Sequence, residues 1–286
     1  MVYGHPAVAV PLSRGVLAAT EPAPRCQLVT PKGLTRDQAR LLQVAFGRAA
    51  AVCGRPKIRL RLTSALPVSA GLGSSAAVSV AIARALLAAA RPSPPGGEVL
   101  RVAMAMERAF HGTPSGIDAA CAASGEVIRF VRRPSTAVGT YRAVHSPKPL
   151  RLVVAWVGQR KPTRDTVAAL RERMGRWPTR YRRAFRDIGL LADEGARAIA
   201  AGDAEGLGDA MNFNHGLLCA LGLSSAGLDS LVHRLRALGA QGAKLTGAGG
   251  AGGAVIGLFP EPGRALAALR SEGVNCFSSP IAGARR

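Results

Sequence analysis

The chain has 286 residues, 38 Lys plus Arg against 17 Asp plus Glu, 48% apolar residues and a formal charge of +21. Such a length suits roughly one or two domains of ~100–200 residues, and the apolar share can fill a core, so global disorder is excluded. No apolar run reaches the ~18 residues of a membrane span. The best, Ala76 to Ala90, is broken by Arg84, and Met1-Val2-Tyr3-Gly4-His5 is not a basic-then-apolar leader. A cytoplasmic protein with no membrane partner is expected.

Cys26, Cys53, Cys121, Cys219 and Cys276 stand singly and are odd in number, which argues against a disulfide framework and offers no zinc-ligand spacing. The positive charge invites a nucleic-acid reading. Only five of the basic residues are Lys, however, and the Arg are spread through an Ala- and Gly-rich background. The densest stretch, Arg171 to Arg183, interleaves Trp177 and Tyr181, as a helix with an exposed basic face also does. No nucleic-acid partner is expected; the positive field favours anionic small substrates.

In chain order, Ala7–Val10 reads as a short strand and Thr35–Ala51 as a helix with Asp37 in its first turn. Ile58–Thr63 alternates apolar and polar residues, the pattern of a half-buried strand. A glycine-rich loop precedes a helix over Ser74–Ala90, which Pro92, Pro94, Pro95, Gly96 and Gly97 end. Helices follow at Glu98–Phe110 and near Ser115, then a strand at Glu126–Val131. An irregular stretch with Pro134, Pro147 and Pro149 leads to an apolar strand, Arg151–Val157. Helices are predicted at Arg164–Met174, Thr179–Ala201, Glu205–Leu221 and Ser225–Leu238. Strands Ala243–Thr246 and Ala254–Phe259 bracket a second glycine loop, and a helix at Gly263–Ser271 and a strand at Asn275–Ser278 finish the chain. This mixture predicts two α+β domains, 1–148 and 149–286, with the site between them.

Three segments carry chemistry. In Pro67-Val68-Ser69-Ala70-Gly71-Leu72-Gly73-Ser74-Ser75-Ala76-Ala77, glycines between a strand and a helix permit positive φ, and Ser74, Ser75 and the first helical amides offer donors to an anion. No Gly-Lys-Ser/Thr follows, so this is not a P-loop; a plain turn before a capped helix has the same appearance. In the second, Glu107 closes one helix and Asp118 opens the next across Gly112-Thr113-Pro114-Ser115-Gly116. Two carboxylates so placed suit a Mg2+ ligand and a group acting on an attacking hydroxyl, or merely an ion pair and a helix cap. The third, Lys244 to Ala254, sets five glycines between two strands. Close approach to a phosphate accounts for them, as does a flexible hairpin; Thr246 at its mouth could donate to a phosphoryl group.

These segments, in this order, resemble the GHMP kinase superfamily, most closely its mevalonate kinase branch, nearly end to end. Tyr3-Gly4-His5-Pro6-Ala7 resembles the tail of the first motif, Gly71–Ala77 the second, His111–Asp118 the stretch distinctive of that branch, and Lys244–Gly253 the third motif. Asn212-Phe213-Asn214-His215 and Gly222-Leu223-Ser224 resemble one of its helix-loops. The resemblance implies a two-domain α+β fold, with an N-terminal domain related to a ribosomal protein and a ferredoxin-like C-terminal domain. It also implies transfer of the γ-phosphoryl of ATP to (R)-mevalonate, with another alcohol such as phosphomevalonate as the alternative acceptor. Carried over residue by residue, Asp118 and Thr246 would be catalytic, and Ser75 and Glu107 would hold Mg2+. Pro67, Ala70, Gly71, Leu72, Gly73, Ser74, Ser75, Ala76, Gly247 and Gly249 would bind the ATP phosphates; a homodimer is admitted. One departure stands out. Family members carry Gly-Lys and then Gly-Glu-His just before the residues matching Val2-Tyr3-Gly4, whereas the first lysine here is Lys32. The expectation is that an internal codon was taken as the start and about a dozen residues precede Met1. The competing expectation is an impaired nucleotide-binding homologue.

Overall fold

The computed structural model describes residues 4–67, 71–132, 138–158, 163–247, 249–250 and 252–281. The elements run β1 (Ala7–Ala9), β2 (Val16–Pro22), β3 (Gln27–Leu28), α1 (Arg36–Val52), β4 (Ile58–Ser64), α2 (Ser74–Ala88), α3 (Gly96–His111), α4 (Ile117–Ser124) and β5 (Ile128–Val131). Then come β6 (Thr140–Ala143), β7 (Leu150–Val157), α5 (Thr163–Arg176), α6 (Pro178–Ala201), α7 (Ala204–Ala220), α8 (Ala226–Ala237), β8 (Gly242–Thr246), β9 (Gly253–Phe259), α9 (Gly263–Ser271) and β10 (Asn275–Ile281). Pro134 lies outside the described residues. The backbone forms two compact units, one of Arg14–Pro67 with Gly73–Gly125, the other of the described parts of 4–13, 71–72 and 126–281.

In the first unit, β2 pairs antiparallel with β4, Val16 opposite Ser64, and β3 lies parallel on the other side of β4. Leu60 points inward from β4 and is fully buried, as are Ile82 and Leu86 of α2 and Met104 and Met106 of α3. α2 packs on α3, α4 and β2, while α1 packs on α3. α1 begins one residue after the expected Thr35, which caps it instead: the Thr35 hydroxyl accepts from the Gln38 backbone N–H, and the Gln38 side chain accepts from the Thr35 N–H, a reciprocal cap that satisfies two otherwise orphaned donors. α2 stops at Ala88, short of the expected Ala90.

In the second unit, β1, β5 and β6 form a small antiparallel sheet, and a four-stranded antiparallel sheet runs β10-β7-β9-β8. Taken from β7, the strand order is 4-1-3-2 with helices after the first and third strands, the ferredoxin-like arrangement. Both faces of this sheet are covered. Val153 and Ala155 of β7 pack with Leu228, Val232 and Leu235 of α8 and Leu269 of α9. Leu150 and Leu152 share a cluster with Ile199, Leu207 and Met211 from α6 and α7. Burial on both sides explains why β7 reads as a nearly continuous apolar run. The chain is thus α+β, as expected, and among its described residues no helix is long and apolar enough to cross a membrane. The basic stretch spans the end of α5 and the start of α6, which meet at Trp177, and Arg176 and Arg180 stack on that ring, 4.7 and 5.7 Å from its centre.

Three strands escaped the sequence pattern. β2 shows most of its residues to solvent, β3 has two residues, and β6 is exposed throughout, so none carries the apolar alternation that marks a half-buried strand.

Candidate functional site

The first glycine loop ends at Gly73, the N-cap of α2, with φ +69° and no side chain capping the helix. A helix entered from a glycine keeps its first-turn N–H groups available to an outside acceptor, and its dipole favours an anion there. Gly73 is also close to Asp118: a Cβ built on it would lie 3.5 Å from the Asp118 Cβ and 3.9 Å from Oδ2. The second segment therefore folds back onto the first. It does so because α3 ends at Gly112 (φ +65°) and α4 starts from Gly116 (φ +88°), two backbone positions that L side chains rarely adopt. Asp118 is consequently in the first turn of α4.

Behind Asp118 is a buried polar cluster. Glu107, near the end of α3, is 5% exposed, and its Oε1 accepts from the Ser79 hydroxyl at 2.9 Å. Burial pushes the Glu107 carboxyl up to about 7; the Asp118 charge adds to that, and hydrogen bonds from Ser79 and Ser75 oppose it. The Ser75 hydroxyl is 3.0 Å from His111 Nε2, which is itself 3.9 Å from Glu107 Oε2. Cys121, one turn beyond Asp118, is buried and its thiol is pushed up to about 12, first by burial and then by Asp118, so it is chemically inert.

Gly73, Ser75, Glu107 and Asp118 are thus brought together, with Ser74 and Ala76 in the same helical turn. Sequence reasoning missed Ser79 and the contact of His111. A signal existed: Ser79 is four residues after Ser75 on α2, and His111 four after Glu107 on α3, so each shares a helix face with an expected site residue. Pro67 is half-buried in the loop after β4, and Ala70 lies outside the described residues. Gly71 (φ +76°) and Leu72 group with the second unit.

The third segment belongs to the second unit. Thr246 ends β8, half-buried; Gly247 (φ +73°) is exposed and Gly249 (φ +63°) buried. A Cβ on Gly249 would sit 1.9 Å from the Leu223 carbonyl oxygen, and Gly250 donates its N–H to that oxygen at 2.9 Å. Ala248 and Ala251 fall outside the described residues.

The donor set suits a hard divalent cation. A serine hydroxyl and a carboxylate are oxygen ligands of the kind Mg2+ takes, and a buried Glu107 held near neutrality is a group whose ionised form a cation would restore.

The family model for the GHMP kinases N terminal domain matches residues 37–126, and that for GHMP kinases C terminal matches 196–275. The chain is 39% identical over 231 residues to a mevalonate kinase of Aeropyrum pernix, covering 77% of this chain and 67% of that protein. It is 36% identical over 223 residues to a mevalonate kinase of Pyrococcus furiosus, covering 76% and 64%. The match spans about two thirds of the length of these curated relatives. In fold it is similar to the L. major mevalonate kinase solved with R-mevalonate, with a TM-score of 0.88 at 24% identity over 99% of this chain and 92% of that one.

Proposed function

The chain belongs to the GHMP kinases, and from that membership we propose that it transfers the γ-phosphoryl of ATP to the C5 hydroxyl of (R)-mevalonate. The observation that carries this reading is Asp118 set beside Gly73, at the open N-terminus of α2, with Ser75 and the buried Glu107 in the same cluster. The identity to mevalonate kinases supports the choice of acceptor.

In this reading the amides of Ser74, Ser75 and Ala76, with Gly71, Leu72 and Gly73 and the loop residues Pro67 and Ala70, cradle the phosphates. Gly73 lacks a side chain where the phosphate chain must pass Asp118. Asp118 orients the C5 hydroxyl and takes its proton as that oxygen bonds to the γ-phosphorus and the bond to ADP breaks. Ser75 and Glu107 hold Mg2+, which when bound neutralises phosphate charge. Ser79 keeps one Glu107 oxygen occupied and so aims the other. Thr246 donates to the transferring phosphoryl group, and Gly247 and Gly249 shape the loop behind it. The reaction invokes no nucleic acid and no membrane, and we place it in the cytoplasm.

The test is coupled ADP release with ATP, Mg2+ and a panel of (R)-mevalonate, phosphomevalonate, galactose and homoserine. The expected result is the highest kcat/KM with mevalonate. Preference for another alcohol overturns the acceptor, and ATP binding without ADP release from any of them overturns the activity.

A further inference from the structure

Among the described residues outside that cluster, His215 and Cys219 on α7 and Asp229 on α8 form a close group of reactive side chains. His215 Nε2 is 3.3 Å from Asp229 Oδ1 and 3.5 Å from Cys219 Sγ, and Sγ is 3.4 Å from the same carboxylate oxygen. Three such ligand atoms within 4.8 Å of one another have the composition of a zinc site. The other ring nitrogen argues against it. His215 Nδ1 accepts the backbone N–H of Leu245 at 3.4 Å. A backbone N–H can only donate, so the ring proton is on Nε2, where a metal would have to bind. Metal-ligating histidines show the reverse pattern, with the second nitrogen donating. The Ser224 hydroxyl also bonds to Asp229 Oδ1.

What this histidine does is visible from β8. That strand is at the edge of its sheet, paired only with β9, and an edge presents backbone groups that need partners. Side chains supply them. Ala243 donates its N–H to Asn212 Oδ1 at 3.1 Å and accepts from Arg236 at 3.1 Å. Leu245 donates to His215 and accepts from Lys244 Nζ at 2.7 Å. Asn212 and His215 are one helical turn apart on α7. The helix can come this near because Gly208 faces Gly242: a Cβ on Gly242 would lie 2.2 Å from the Gly208 carbonyl oxygen. Beyond the strand, the Leu223 carbonyl takes the Gly250 N–H. α7 and the turn that follows it therefore hold both sides of the glycine loop, the strand that enters it and the residues that leave it.

We infer that His215 is a positioning residue for the phosphoryl-transfer reaction: as the Nε2–H tautomer steadied by Asp229, it fixes the Leu245 N–H and with it the exit of β8 that carries Thr246. This rests on the proposed role of Thr246. Of the four capping contacts on the edge, this is the one that protonation can invert. A proton on Nδ1 would face the Leu245 N–H with a second donor. Burial is the largest influence on His215 and lowers its pKa; the Asp229 carboxylate opposes this, and Arg236 from α8 and Lys244 from β8 reinforce it. Cys219, its neighbour on α7, has its own thiol held up by burial and Asp229. The contact is accordingly intact at neutral pH and is lost as the pH falls below the ordinary histidine range.

Two measurements on the full chain test this. Nitrogen NMR of the imidazole should find His215 as the Nε2–H tautomer, with the Leu245 amide shift titrating together with the ring. The Nδ1–H tautomer, an untitrating amide, or stoichiometric Zn2+ binding that Cys219→Ser abolishes would overturn the inference. In ADP-release kinetics with mevalonate, His215→Phe should lower kcat about tenfold with the KM for ATP little changed. His215→Asn, whose amide oxygen replaces Nδ1 as an acceptor, should recover most of kcat and keep only the acid limb set by Asp118 and Glu107, so that the ratio of wild-type to Asn kcat falls as the pH is lowered. Equal losses in both variants, or a ratio of wild-type to Asn kcat that does not change with pH, would count against it. Absence of any turnover in the wild-type chain would refute the proposed reaction, and the NMR arm would still decide whether His215 holds Leu245.

Discussion

The two glycine loops use their glycines for different reasons. At Gly73 the nearest outside atoms belong to Asp118, at ordinary contact distance, so the missing side chain keeps space open beside a carboxylate. At Gly249 the nearest atom is the Leu223 carbonyl oxygen, where a Cβ would overlap outright. Both positions have positive φ. The first glycine leaves room beside Asp118, where we propose that the phosphates lie; the second serves the packing of the loop on its own protein. Glycine density alone, then, does not distinguish a ligand cradle from a tight backbone contact; the atoms facing the glycine do.

The largest effect expected from this contrast is at the open loop. Asp118→Asn should reduce kcat by about a thousandfold, in the range of a lost proton acceptor, while ATP affinity stays within several-fold; near-normal ADP release would remove Asp118 from the chemistry. Exchanging the glycines separates the two roles directly. Gly249→Ala should destabilise the chain by about 3 kcal/mol, since overlap with Leu223 adds to backbone strain. Gly73→Ala should lower stability by only about 1–2 kcal/mol, the left-handed backbone term, yet abolish most turnover. Denaturant unfolding beside ADP release reads both, and equal stability losses would erase the distinction.

The buried carboxylate behind the open loop should show itself in the pH dependence of stability. Glu107 titrates at about 7 in the folded protein, above its ordinary 4.5. Between those values the native state binds more protons than the unfolded one, so stability falls as pH rises through this window. The loss is about 3 kcal/mol by linkage and should be absent from Glu107→Gln. Thermal melts at pH 5 and pH 8 measure it, and a wild-type difference no larger than that of the variant would contradict the burial argument. The same variant should need more Mg2+ for turnover. The smallest effect is expected from Ser79→Ala, which removes the hydroxyl donor to Glu107. About 1 kcal/mol of stability and a modest rise in the Mg2+ requirement should follow, and an unchanged Mg2+ titration would reduce Ser79 to a packing residue.

Much of this was legible in the residues. α1 is announced by Asp37 in its first turn, β4 by strict alternation, and β7 by an apolar run that two covered faces require. Gly73, Ser75, Glu107 and Asp118 could be singled out because the glycine loop and the Gly-Thr-Pro-Ser-Gly bend are local statements about backbone conformation. β2, β3 and β6 were not legible, because solvent-facing or two-residue strands have no apolar periodicity to report.

What the sequence by itself determined is the set of helices and strands with a buried face, the turns that need positive φ, and the family to which the motifs point. Each follows from forces between residues close along the chain. Only the tertiary structure decided that Ser79 feeds Glu107, that Gly249 is pressed against Leu223, and that His215 takes the amide of Leu245. Those contacts join residues 28, 26 and 30 positions apart. Such pairs meet only once hydrophobic burial has chosen which helix lies against which strand, a choice made by the whole core rather than by any local pattern.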